Sequence, residues 1–242
     1  MPFPLAPSQN IFDLALLALA AFVLPAISTV AGHRFGRAPD RSLIPRYLQT
    51  ATRGWIVAAL IAADWIWSGR APTALGLALP PGLYGEIGLV IVAAATFAIA
   101  IQLLRLDKIV KPERIAKMQQ QMREIKILPR TRAERNVFFL VAITAGIWEE
   151  LLYRGFLFWF LAPYAGALGA AALSTVMFGL GHIYQGWRGA LRATAVGLLF
   201  AVGYAVSGSL WWLIWAHALV DIFGGVVGWK VLGMCAPETQ PA

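Results

Sequence analysis

Three short patterns in the C-terminal half of the chain set acids, imidazoles and one guanidinium at helical spacings. Glu149 and Glu150 are adjacent, and Arg154 follows Glu150 by four residues. With the acid on the N-terminal side, this is the favourable order for an intrahelical ion pair. Glu149 lies about 100° around the helix and cannot share that pairing equally well. His182 follows Phe178 by four residues, so the two share a helical face. His217 and Asp221 repeat the spacing, and a carboxylate one turn away can accept an imidazole N–H and fix its tautomer. A carboxylate and a histidine that share a water can deprotonate it for attack on a carbonyl. The oxyanion then needs donors, and His217 is a candidate, with Asp221 holding it or orienting a substrate group. No serine or cysteine shares these helical faces, which weighs against a covalent nucleophile.

Two histidines with two or three carboxylates also suffice for zinc, the nearest chemical rival. The usual helical zinc signature, two histidines four apart around a glutamate, is absent. Arg154 beside the acids would repel a cation. The reading is therefore metal-free and without a cofactor.

The elements that must position these residues are set by composition. Hydrophobic residues make up 59% of the 242, and charged ones 13%, with a mean hydropathy of +0.68. A water-soluble fold of this size has too little interior for so much apolar surface, so lipid must be the solvent for much of the chain. Crossing a hydrocarbon core of about 30 Å takes about 20 residues. Seven runs qualify, at 11–32, 54–69, 84–105, 136–162, 165–185, 189–207 and 209–232. The fold class expected is an all-α, polytopic transmembrane bundle with a four-helix catalytic core. Trp55, Trp65, Trp67, Trp187, Trp211 and Trp212 fall near predicted span ends, where indole rings anchor at the interface.

The formal net charge of +8 sits in the gaps between apolar runs, which is the pattern of basic cytoplasmic loops rather than of a nucleic-acid surface. Arg34, Arg37, Arg41, Arg46 and Arg53 follow the first span, and ten more basic residues lie between Arg105 and Arg135. The gap between spans two and three has only Arg70. The expected orientation puts the N-terminus outside and the C-terminus in the cytoplasm, in a bacterial inner or plasma membrane. The N-terminal run lacks the basic start and cleavage signature of a signal peptide and reads as a retained span. One cysteine, Cys235, rules out an internal disulfide and any cysteine-based metal site.

The segment 107–134 mixes Ile115, Met118, Met122, Ile125 and Ile127 with many charges. This spacing suits an amphipathic helix on the inner membrane surface, or a solvated helix joining two bundles. It divides the chain into a three-span region (1–106), a basic linker (107–134) and a four-span core (135–242).

An ionisable group near the bilayer centre costs at least about 2.5–3.5 kcal/mol, and such groups mark function. Counted from the outer helix ends at 1.5 Å per residue, Glu149 lies roughly 20 Å deep, His182 25 Å, Asp221 18 Å and His217 12 Å. The four fall in one slab. Small residues such as Gly166, Gly169, Gly224 and Gly228 would let the helices close around them.

At these residues the chain resembles the CAAX prenyl endopeptidase and bacteriocin-processing (CPBP, Abi) membrane proteases. Their motifs are Glu-Glu-x-x-x-Arg, Phe-x-x-x-His and His-x-x-x-Asn/Asp, present here as Glu149, Glu150 and Arg154, then Phe178 and His182, then His217 and Asp221. The resemblance covers roughly 136–232 and implies a glutamic intramembrane endopeptidase acting on a membrane-associated protein or peptide. It implies that Glu149 and His182 activate water, that His217 and Asp221 stabilise the oxyanion, and that Glu150 and Arg154 support them. Eukaryotic prenyl-protein proteases carry Asn where this chain has Asp221. An ionised aspartate opposes an oxyanion, so Asp221 must be protonated or act by orienting His217. The expected partners are the bilayer and a peptide substrate, with no nucleic acid. The alternative is a non-catalytic scaffold or immunity protein that binds a peptide in the same cavity.

Overall fold

The computed structural model describes residues 10–36 and 42–234, and among them there are helices and connecting turns but no strand. Arg37, Arg41 and Cys235 lie outside the described residues. The first span is α1 (Ile11–Ala18), a π-helical turn (Leu19–Val23) and α2 (Leu24–Gly36) in one continuous run. Asn10 caps it, accepting from the backbone N–H groups of Phe12 and Asp13 at 2.7 and 3.0 Å, which satisfies donors the first turn leaves free.

Helix α3 (Ile44–Trp67) begins ten residues before the expected span. Pro45 starts it without loss, because the first turn has no use for that N–H. Its buried positions Tyr47, Ala51, Gly54, Val57, Ala58 and Ile61 recur every three or four residues and hold one face inward. Arg46 and Arg53 are therefore helical residues, not members of the basic loop to which their charge assigned them. Helix α4 (Gly82–Leu104) is the third span. Helices α5 (Leu106–Ile109) and α6 (Pro112–Glu124) form most of the linker. Of the two expectations for this segment, neither names what α6 touches. Gln119 Nε2 donates to the carbonyls of Val231 and Met234 at 3.1 and 2.7 Å, fixing α6 to the end of α10.

The remaining four passages follow without a long loop. Helix α7 (Arg132–Glu150) starts at a capping box between Thr131 and Glu134. It runs through a π-helical segment (Leu151–Phe156) into α8 (Leu157–Gly181). Pro163 and Gly166 break this stretch into two passages; Gly166 has φ 67° and ψ 174°, a conformation open to glycine and strained for other residues. Helices α9 (Gly186–Ser207) and α10 (Trp211–Leu232) complete the bundle. Five helical stretches are long and apolar enough to cross a membrane, one of them the broken Arg132–Gly181. Split at that break and counted with α3, which is not one of those five stretches, the described residues form seven long helical segments, against seven spans expected. Large apolar side chains such as Val90, Phe97 and Leu168 point outward, as a lipid-facing bundle requires.

Helix α7 is the centre, packed between α3 and α10. Glycines set both approaches. A Cβ on Gly54 would stand 2.4 Å from Trp148 Cδ1, and one on Gly146 2.6 Å from the Ile214 carbonyl oxygen. Such close helix approach is how bundles in lipid gain their packing energy.

A second buried polar group lies in the N-terminal spans, and the sequence reading passed over it. Arg70 Nη1 reaches Asp13 Oδ1 at 2.7 Å and Asp64 Oδ2 at 3.0 Å. Asn10 Nδ2 donates to Asp64 Oδ1 and to Ser68 Oγ. The Arg70 guanidinium lies over Trp65 at 5.1 Å and Trp159 at 4.4 Å. Trp65, expected at the interface, is 3% exposed and donates to the Ala71 carbonyl at 2.9 Å. It is a packing residue, because Arg70 and Trp159 supply the polar and aromatic contacts that the interface otherwise would.

Candidate active site

The site residues are carried to the centre by α7, the π-helical segment, the end of α8 and α10. Glu149 and Glu150 end α7, Arg154 lies in the π-helical segment, His182 closes α8, and His217 and Asp221 project from α10. A single π turn inside a helix often marks a functional site, because it redirects side chains without ending the helix.

Glu150 and Arg154 are both fully buried, and Arg154 Nη1 donates to Glu150 Oε1 at 2.9 Å. The same oxygen lies 2.7 Å from His217 Nδ1. With Glu150 paired to the guanidinium, the imidazole N–H is the donor. Arg154 Nη2 donates to the Gly197 carbonyl at 2.9 Å, and its guanidinium stacks on Phe178 at 4.4 Å. A Cβ on Gly197 would stand 3.1 Å from Arg154 Nη2 and 2.8 Å from Phe178 Cδ1. Gly197 is thus a site residue that the sequence reading missed. Its contribution is a carbonyl and the absence of a side chain, and neither leaves a motif.

Asp221 makes no direct hydrogen bond to His217. Asp221 Oδ2 stands 3.8 Å from His217 Nε2, outside hydrogen-bond range, and its side chain is 38% exposed. Glu150 holds the ring instead, through Nδ1. Position explains the outcome: Glu150 faces α10 across the close approach at Gly146, whereas Asp221 lies one turn along the same helix as the ring.

His182 Nδ1 lies 2.8 Å from the Phe178 carbonyl, which can only accept, so Nδ1 carries the proton and Nε2 points away. Phe178 stacks on the ring at a centroid distance of 4.5 Å. Both imidazoles therefore turn Nε2 towards Glu149. The distances to Glu149 Oε2 are 3.9 Å from His182 and 3.8 Å from His217. That oxygen is buried and makes no hydrogen bond to a described residue. All seven residues singled out from the sequence lie together here, with Asp221 at the rim. Glu149 and His182 also line a cavity of about 160 Å3 that extends past Tyr153 and Gly54 to Arg53 on α3.

Residues 133–223 match the family model described as Type II CAAX prenyl endopeptidase Rce1-like. They carry an Rce1-like domain. The match begins in the first turn of α7 and ends in α10, and it contains every site residue above. No curated protein and no solved structure matches the chain. At the level of the family, the Rce1-like domain supports a CAAX-type protease, and the apolar helices make the chain an integral membrane protein.

Proposed function

We propose that the protein is a metal-free glutamic intramembrane endopeptidase that cleaves a membrane-associated protein or peptide. The observation that carries this reading is the convergence of two Nε2 atoms on Glu149 Oε2, each just under 4 Å away. A polar gap of that size is the span a bridging water closes. Glu149 takes a proton from this water as it attacks the scissile carbonyl, and His182 Nε2, an acceptor in its tautomer, aligns it. His217 presents Nε2 on the opposite side. To donate there while Nδ1–H is bound by Glu150, the ring must be doubly protonated, and three carboxylates lie within 3.8 Å of its nitrogens. A charged ring is a strong oxyanion donor. Glu150, Arg154 and Gly197 are positioning residues. The basic linker would face the cytoplasm, with the N-terminus on the other side.

The test is cleavage by purified protein in liposomes. Proteolysis should persist in chelator; full loss in chelator, restored by added zinc, would overturn the metal-free mechanism. Asp221→Asn separates two roles. A rim carboxylate that only biases His217 should be replaceable, leaving the rate within roughly tenfold of wild type. Removing a true oxyanion ligand costs about 10²–10³-fold, so a loss of that size would give Asp221 a direct part.

A further inference from the structure

The 160 Å3 cavity beside Glu149 is not isolated. Ile127 and Tyr184 line it and also line a larger cavity of about 590 Å3, between the end of α6 and the start of α9. The two adjoin across these side chains. The outer cavity is lined by Lys126, Arg188 and Arg192, and the inner one by Arg53. Among the described residues none of these four cations takes part in an ion pair. Among the described residues lining either cavity, the one acid is Glu149, in the inner one.

Arg53 is the informative member. It is half-buried, one residue from Gly54, where α3 crosses α7 against Trp148. Trp148 in turn precedes Glu149, so Arg53 and the proposed base flank one helix crossing. An arginine held in a cavity among apolar walls without a counter-ion is costly, and a bound anion removes that cost. The outer three are exposed and form the mouth. A route with one sign of charge concentrates a ligand of the other sign.

We infer that the substrate reaches Glu149 along this path and that its polypeptide bears acidic side chains beside the scissile bond. Lys126, Arg188 and Arg192 gather the acidic segment, and Arg53 binds a carboxylate within the inner cavity. This rests on the protease reading for the word substrate; the binding of an acidic peptide does not.

The experiment uses the full-length Glu149→Gln protein in phosphatidylcholine nanodiscs, with fluorescein-labelled oligo-glutamate, oligo-glutamine and oligo-lysine peptides followed by anisotropy. Oligo-glutamate should bind on the order of tenfold more tightly than oligo-glutamine, an advantage that shrinks as salt rises. Added K126A, R188A and R192A together should erase the preference, and R53Q should reduce it. Should R53Q fail to accumulate, the triple variant at exposed positions carries the test. Equal binding of the glutamate and glutamine peptides overturns the inference, as does a preference that survives the triple variant. Phosphatidylglycerol enriched around wild type but not the triple variant, with no preference among the peptides, would make the mouth a lipid head-group site and also overturn it. Since anisotropy reads binding, a wild-type protein that cleaves nothing would sink the protease reading while leaving acidic-peptide binding standing.

Discussion

Glu149→Gln should remove proteolysis while leaving the protein folded. The substitution keeps the size and one acceptor of the side chain but takes away the base. General-base removal costs on the order of 10²–10⁴-fold in rate. Stability should hold or rise slightly, because Glu149 Oε2 is a buried carboxylate oxygen with no hydrogen bond to a described residue. Neutralising this buried charge relieves a desolvation cost, which offsets the lost attraction to the charged His217 ring 3.8 Å away. Turnover of a cleavable membrane peptide, read beside thermal unfolding in the same detergent, checks both halves. Cleavage at more than about a tenth of the wild-type rate would remove Glu149 from the base role. A cellular phenotype that persists in this variant would favour the non-catalytic scaffold.

Arg154→Met should be among the most damaging single changes in the chain, and through stability. Arg154 donates to Glu150 and to the Gly197 carbonyl, and stacks on Phe178. Taking away one partner of a buried ion pair costs about 3–5 kcal/mol, because the other charge stays behind unpaired. Here the abandoned charge is Glu150, which also orients His217. Expression and melting temperature should both fall sharply. Glu150→Gln added to Arg154→Met should recover much of the stability, since no buried charge is then stranded. It should not recover activity, because the ring of His217 loses its fixed orientation. Recovery of both would show that Glu150 has no positioning role.

The site was legible in the sequence to the extent that its groups are side chains at one-turn spacing. Glu150 with Arg154, and Phe178 with His182, could be paired by helical geometry alone, and both pairs are in contact. Contacts between helices could not be read this way. The 2.7 Å bond from His217 to Glu150 depends on how closely α7 approaches α10, which Gly146 decides. Spacing along α10 suggested Asp221 instead. The bundle was legible from hydropathy, but α3 was cut short because Arg46 and Arg53 read as loop. Those charges lie on a helix whose other face is buried. Asp13 and Asp64, two acids inside apolar runs, were a signal that Arg70 needed partners nearby.

The clamp those three residues form bears on how the domain could be reused. Residues 133–223 are recognisable as a family unit, yet Trp159 on α8 is covered by Arg70, which is held by acids on α1 and α3. Glu134, at the start of α7, likewise accepts the backbone N–H of Leu43 at 2.9 Å. The part with the family match is therefore fastened at Glu134 and at Trp159, on its first long helical run, to the part without one. Transplanted alone into another bundle, it would lose the two fixed points that set the tilt of the helix bearing Glu149 and Glu150. Portability in sequence and portability in mechanics part company in this chain.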